Sequence, residues 1–113
     1  MQVNYHIGVV HCKDNFYGQH SPESMPQSAV LKNNWDAFIK CGALASEMES
    51  AALFITAGVR RARMGTVLLV IANQTRREMG LDDREVYDTD VAVKTAVRAM
   101  EELILADREK AKS

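Results

Sequence analysis

Three apolar runs along the chain have the length and composition of β-strands. The first and the last contain many β-branched residues and show no alternation with polar residues, which is typical of strands that helices cover on both faces. Three strands alone leave both edges of a sheet without a neighbour, so further strands or a partner are expected. The predicted strands span residues 5–13, 43–48 and 66–72.

Apolar residues at helical spacing predict a helix after each of these strands. Ser28 and Thr89 are the expected N-caps of the first and last helices, and Asp90 lies in the first turn of the last one. Gly42 provides the left-handed residue that commonly closes a helix. The predicted helices span residues 28–40, 49–61 and 89–110. Their expected buried stripes are Leu31, Trp35, Phe38 and Ile39 in the first helix, and Val93, Val97, Met100 and Ile104 in the last.

Strands and helices therefore alternate in the order βαβαβα. This order is typical of an α/β fold with three layers, in which helices cover a mainly parallel or mixed sheet. Two polar connections, residues 14–27 and 73–88, are predicted to be loops, and the first contains Pro22 and Pro26. A strand that begins almost at Met1 suggests either a piece of a longer chain or a short protein.

Composition and charge argue against several classes of protein. Fourteen basic and 15 acidic residues give a net charge of −1, which offers no reason to expect nucleic acid or an anionic membrane as a partner. No apolar run approaches the roughly 20 residues of a membrane helix, and the N-terminus does not resemble a signal peptide. Cys12 and Cys41 have no metal-ligand spacing, so we expect no metal site and a cytoplasmic location.

Polar side chains follow each predicted strand, where ligands bind in open α/β sheets. These segments are residues 14–19, 47–49 and 73–76. Around Glu47, Met48 and Glu49, a carboxylate could accept hydrogen bonds from a sugar diol while the thioether packs on the sugar. Alternatively, the two acids favour the start of a helix and Met48 belongs to the core.

The first polar connection has the side chains to hold a flat heterocycle. Phe16 could stack on a base while the Gln19 amide reads an imide edge, since an amide both donates and accepts. The alternative is that Phe16 anchors the loop. His20 lies in the same segment, and the three histidines show no metal-ligand spacing. Asn73 and Gln74 could read a base in the same way or form a turn after the strand.

Taken together, three blocks resemble the uridine phosphorylases of the nucleoside phosphorylase family, in particular the type found in Gram-positive bacteria. They are CKDNFYGQHSPESMP, ASEMESAALF and LVIANQ, at residues 12–26, 45–54 and 69–74. The resemblance runs in order across essentially the whole chain and corresponds to the C-terminal half of the family's subunit. It implies that residues 1–113 form an incomplete nucleoside phosphorylase domain.

The resemblance also implies an activity and its participants. The family converts uridine and phosphate into uracil and ribose 1-phosphate, with inorganic phosphate as co-substrate and no other cofactor. The expected partners are a pyrimidine nucleoside, phosphate, and either further copies of the subunit, assembled as a hexamer of dimers, or the N-terminal half. No nucleic acid or membrane partner is implied.

The family's site residues carry over where this sequence matches. Phe16 is implied to pack against uracil and Gln19 to bond its edge, while Met48 packs on the ribose and Glu49 binds its hydroxyls. Glu47 lines the same turn. The resemblance gives Gln19 and Glu49 the catalytic roles. The remaining substrate-binding residues are implied to be His20, Asn73 and Gln74.

Two departures from the family pattern affect the base pocket. The enterobacterial form has two arginines there, whereas this chain has Ser21 (or His20) and Gln74 at the matching positions. The charge that stabilises the uracil anion is left to His20, Lys13, Gln74 or an ordered water. Purine-specific relatives have an aspartate where this chain has Asn73, and an asparagine cannot protonate a purine, which favours pyrimidines.

The family's phosphate-binding residues lie in the N-terminal half, and a neighbouring subunit completes the pocket. We therefore expect this chain alone to show no phosphorolysis. One alternative is a non-catalytic, truncated module that binds nucleoside or only assembles. Another is a purine nucleoside phosphorylase or nucleosidase, which Asn73 disfavours.

Overall fold

A computed structural model describes residues 3–112 of the chain. They belong to two compact units, Met1–Met64 and Gly65–Ser113. The first unit contains β1 (Val10–Cys12), α1 (Phe16–His20), a 3₁₀ turn (Pro22–Ser24), α2 (Ser28–Lys40), β2 (Ala45–Glu47) and α3 (Ser50–Val59). The second contains α4 (Gln74–Glu78) and α5 (Asp90–Lys112). Among these helices, none combines the length and the apolar character that crossing a membrane needs.

The first unit is built around two parallel strands that α2 connects. The backbone N–H of Lys13 donates to the Glu47 carbonyl at 2.9 Å and extends the pairing beyond β1. A parallel pair needs such a crossover, and this one confirms the predicted α/β arrangement with a parallel sheet. The facing residues are Val10 with Ala45, His11 with Ser46, and Cys12 with Glu47.

Both strands of the first unit are shorter than predicted. The structure assigns a strand to Val10–Cys12 rather than to residues 5–13. Tyr5, Ile7 and Val9, all before β1, are 76%, 88% and 73% exposed. An apolar run forms a strand only along the stretch where a neighbouring backbone is hydrogen-bonded to it.

The prediction of a third strand at residues 66–72 is wrong, since these residues form no strand in the described part of the chain. Residues 66–72 carry no strand assignment, although the backbone N–H of Val86 donates to the Ile71 carbonyl at 2.9 Å. An apolar run does not specify its own partner, and here no ladder of backbone bonds forms along it. The three-layer arrangement stays a prediction.

Each of the two predicted loops contains a helix of five residues, α1 and α4. The Asn15 side-chain oxygen accepts hydrogen bonds from the N–H groups of Tyr17 (3.0 Å) and Gly18 (3.2 Å). In the same way, the Asn73 oxygen accepts from the N–H of Arg76 at 3.0 Å. The prediction of irregular structure was wrong there because one asparagine cap stabilises the start of each short helix.

The longer helices agree better with the sequence pattern. α2 has the predicted bounds, and Gly42 after it has a φ of +84°, as expected for a left-handed closing residue. Ser28 is the first residue of α2 rather than its cap, and Gln27 before it makes no side-chain cap bond. α5 begins directly after Thr89, whose carbonyl accepts the N–H of Val93 at 2.9 Å.

Neither unit buries its apolar side chains. Among residues 3–112, no hydrophobic residue is buried, so the predictions of buried stripes on α2 and α5 are wrong for this chain by itself. Leu31 and Trp35 of α2 are half-buried. On α5, Val93, Val97, Met100 and Ile104 are 45–56% exposed because the described residues provide no surface that covers them. An apolar area of this extent is typical of a surface that more polypeptide covers.

Candidate functional site

The first unit contains a cleft of about 460 Å³. A volume of this order is usual for small-molecule sites. Its walls come from the end of β1, from α1, from one face of α2 and from the start of α3. Gln19 and Met48, two of the predicted site residues, line it, and so do Lys13 and Trp35.

Three side chains at the cleft form a chain of hydrogen bonds. The Lys13 ammonium donates to the Ser46 hydroxyl oxygen at 3.0 Å, and this hydroxyl donates to the Gln19 side-chain oxygen at 2.6 Å. Partial burial lowers the pKa of Lys13, an effect that the negative charge of Glu47 opposes. Lys13 Nζ also lies 6.0 Å from the centre of the Phe16 ring, at the outer limit of a cation–π contact. The amide that was expected to read a base is therefore coupled to a cation.

Helix α1 brings Phe16, Gln19 and His20 within a little over one turn. The rings of Phe16 and His20 stack with their centres 4.2 Å apart, and Tyr17 meets Phe16 edge-on at 5.5 Å. Phe16 is 50% exposed and is not among the residues that line the cleft. The helix thus presents a stacked ring pair beside the amide, on a surface accessible to a ligand.

The turn between β2 and α3 separates the roles of its two acids. One Glu47 oxygen accepts the N–H groups of Glu49 and Ser50, both at 2.8 Å, and so closes the start of α3. Burial acts to raise the pKa of Glu47, but hydrogen bonds from Cys12, Ser50 and Glu49 outweigh it and lower the pKa to about 2. In contrast, Glu49 is exposed, next to Met48 at the cleft wall. One Glu49 oxygen accepts the Met48 backbone N–H at 3.3 Å, so Glu47 holds the start of α3 while, among the described residues, the Glu49 carboxylate bonds only within the turn.

Asn73 and Gln74 belong to the second unit and are described there by themselves. The Asn73 backbone N–H donates to the Asp83 carboxylate at 2.7 Å, and the side chain of Asp83 is only 7% exposed. Arg77 binds the same carboxylate at 2.7 Å. The Gln74 amide donates to Glu78 at 2.9 Å. Asp83 and Arg77 therefore fix the turn that carries Asn73.

Sequence reasoning missed Ser46 and Asp83 as parts of these two arrangements. Ser46 lies in the predicted strand of residues 43–48, where a polar side chain must find a partner if it is buried. That was the available signal, but the pattern does not say which partner. Trp35 was assigned to a core stripe, whereas it lines the cleft. Among residues 3–112, no three His, Cys, Asp or Glu side chains are placed to hold a metal ion.

Comparison of the sequence with known proteins agrees with a parallel strand pair that has polar residues at its carboxyl end. Residues 1–105 match the model of the phosphorylase superfamily, and the chain belongs to that superfamily. It is similar to the uridine phosphorylase of Treponema pallidum (strain Nichols), with 59% identity over 107 residues. The matched region covers 95% of this chain but only 42% of the relative's length. The chain thus spans less than half of the relative.

Proposed function

We propose that this chain is the base- and ribose-binding part of a uridine phosphorylase, which converts uridine and phosphate into uracil and ribose 1-phosphate. The observation that carries the proposal is a single cleft lined by Gln19, Met48 and Lys13. These are side chains suited to an imide edge, a sugar face and an anion. The 59% identity to a uridine phosphorylase supports the same reaction.

Lys13 is the side chain that we assign to the uracil anion. Of the candidates named for that charge, Lys13 lines the cleft, whereas Gln74 is neutral and pairs with Glu78. His20 stacks on Phe16 and is assigned to the base surface instead. An ammonium in a partly buried cleft acts more strongly on a developing charge than it does in water.

In the reaction, the negative charge on the departing base must be stabilised and the ribose must be held in place for attack. A phosphate oxygen attacks the anomeric carbon as the bond from that carbon to the base nitrogen breaks. The electron pair of the broken bond passes to uracil, where it spreads over the ring and its two carbonyl oxygens. Lys13 and the Gln19 amide bind this anion. Glu49 accepts hydrogen bonds from the ribose hydroxyls and Met48 packs on the sugar, so the anomeric carbon is held for attack.

The phosphate site and the remaining layers belong, in this proposal, to sequence outside this chain. The resemblance implies that the chain corresponds to the C-terminal half of the subunit, and the matched region covers 42% of the relative. Residues 66–72 then pair with strands of the other half, and the stripe of α5 is covered in the complete fold. The exposure of that stripe supports this view. Complete subunits assemble into a homo-oligomer in the cytoplasm, with inorganic phosphate as co-substrate and no other cofactor.

A second candidate is a non-catalytic module that binds nucleoside or only assembles. In that case the cleft would bind a nucleoside without phosphorolysis, and a subunit completed with the rest of the relative's sequence would show no phosphate-dependent cleavage. A purine-specific enzyme is disfavoured. The Asn73 side-chain oxygen accepts the Arg76 N–H in capping α4, and an amide has no acidic proton to give to a purine.

The test uses a completed subunit, defined as this chain joined to the part of the Treponema pallidum relative that it does not cover. With phosphate, the completed subunit is expected to turn uridine into uracil and ribose 1-phosphate, and to act on inosine at least about 100-fold more slowly. Both products are measured by chromatography, with and without phosphate. Cleavage without phosphate, or a preference for inosine, would contradict the proposed function.

A further inference from the structure

The hydrogen-bond chain from Lys13 through Ser46 to Gln19 runs in one direction in the structure, from the ammonium towards the amide oxygen. An ammonium group donates and never accepts, so the Ser46 oxygen must accept at the 3.0 Å contact. The Ser46 hydroxyl in turn donates its proton to the Gln19 side-chain oxygen, 2.6 Å away. Of the two orientations that an amide can take, this one gives the Ser46 proton an acceptor.

The first two members of this hydrogen-bond chain are held by the backbone of the sheet. Ser46 is the central residue of β2 and faces His11 across the parallel pair. Lys13 directly follows β1, and its N–H donates to the Glu47 carbonyl at 2.9 Å. The Ser46 hydroxyl therefore reaches Gln19 from a fixed position, and turning the amide over would take away the oxygen that accepts the Ser46 proton.

We infer that Ser46 is a positioning residue that holds the Gln19 amide with its oxygen towards the sheet, and that it thereby selects bases with an imide N–H over cytosine. This inference rests on the proposed function, since it assumes that Gln19 reads the base. An amide oxygen can accept two hydrogen bonds, so Gln19 can accept one from Ser46 and one from an imide. Its NH₂ group then donates to the C4 carbonyl oxygen of the base, which neighbours the imide N–H.

Cytosine presents the opposite groups to such an amide. Its N3 accepts where that of uracil donates, and it carries an amino group where uracil has a carbonyl oxygen. A fixed Gln19 oxygen therefore faces a lone pair on N3 of cytosine, and a site built for one pattern rejects the reverse pattern strongly. Without Ser46 the amide can turn over and match cytosine, so selectivity falls even if the fold is unchanged.

The test compares the dissociation constants of uracil and cytosine in the completed subunit. Trp35 lines the cleft, and it is the single tryptophan of this chain, so base binding is followed by its fluorescence in a completed subunit whose other tryptophans are replaced by phenylalanine. Ser46→Ala is expected to lower the preference for uracil at least tenfold. Ser46→Thr keeps the hydroxyl and is expected to stay within twofold of the unsubstituted protein.

Ser24→Ala is the matched control, since the Ser24 hydroxyl bonds only locally, to the Ser21 carbonyl at 2.7 Å. It is expected to leave the preference unchanged. If Ser46→Ala loses its helical circular dichroism, Ser46→Cys decides instead, because a thiol is close in size to the hydroxyl but is a weak donor, and it is also expected to lower the preference at least threefold.

An unchanged preference in the folded Ser46→Ala protein would overturn the inference, and so would a Thr variant that loses as much as the Ala variant. If the unsubstituted protein binds neither base, the inference fails as well. The proposed function is judged separately, by phosphate-dependent release of uracil from uridine. A completed subunit that prefers uracil without cleaving uridine would refute that function while the Ser46 comparison still stands.

Discussion

Replacing Lys13 with methionine is expected to reduce kcat/KM for uridine in the completed subunit by about 10²–10³-fold, the usual cost of removing one donor to a developing anion. Methionine keeps most of the length of the side chain and removes its charge. Lys13 is coupled through Ser46 to Gln19. Among the described residues that line the cleft, it is the one lysine or arginine, so no other such side chain can take over its charge there. Most of the loss is expected in kcat, because the charge on uracil develops only in the transition state.

Lys40→Met provides the matched control. Lys40 lies on α2, is 73% exposed in its side chain and pairs with Asp36, so it tests the loss of a lysine without a change at the cleft. Its kcat/KM is expected to stay within twofold of the unsubstituted value. A reduction of less than about threefold in Lys13→Met would contradict the assignment and shift it to His20.

Glu49→Ala is expected to cost about 1.5–3 kcal/mol in the binding of the ribose, as hydrogen bonds to a charged group usually do. This corresponds to a loss of about 10–150-fold in kcat/KM for uridine in the completed subunit. Glu49 is exposed beside Met48, whereas Glu47 is engaged with the start of α3. The loss is expected to be smaller for deoxyuridine, which lacks one of the two hydroxyls that Glu49 is proposed to bind.

Glu23→Ala is the control for this substitution, because Glu23 is an exposed acid in the 3₁₀ turn. Steady-state kinetics with both nucleosides would measure the two variants side by side. An unchanged kcat/KM for uridine in Glu49→Ala would remove Glu49 from the ribose site and leave it as a surface acid near the start of α3.

The parts of the fold that were predictable are those that local sequence determines. α2 has its predicted bounds because four apolar residues at helical spacing lie between polar neighbours and Gly42 closes the end. α1 and α4 were missed because five residues are too few for a periodic signal, and each depends on a single asparagine. The prediction of a strand at residues 66–72 was wrong for a different reason, because strand pairing depends on backbone that is distant in sequence.

In the candidate site, too, some features could be predicted from local sequence and others depend on residues that are distant in the chain. The sequence blocks predicted roles for Gln19 and Met48 in substrate binding, which stay predictions, and both side chains line one cleft in the structure. Ser46 could not be found from its neighbours, because its importance depends on Lys13 and Gln19, which lie 33 and 27 positions away. Likewise, the stripe of α5 was correctly identified as apolar, but whether it is buried depends on a surface that local sequence does not describe.

The most direct test of the central claim is the release of uracil from uridine by this chain alone and by the same chain mixed with a separately expressed remainder of the Treponema pallidum relative. The chain alone is expected to release none, and the mixture is expected to release uracil only when phosphate is present. The completed subunit, joined in one polypeptide, serves as the control for reassembly. Phosphate-dependent release by this chain alone would contradict the account, as would an inactive mixture beside an inactive completed subunit.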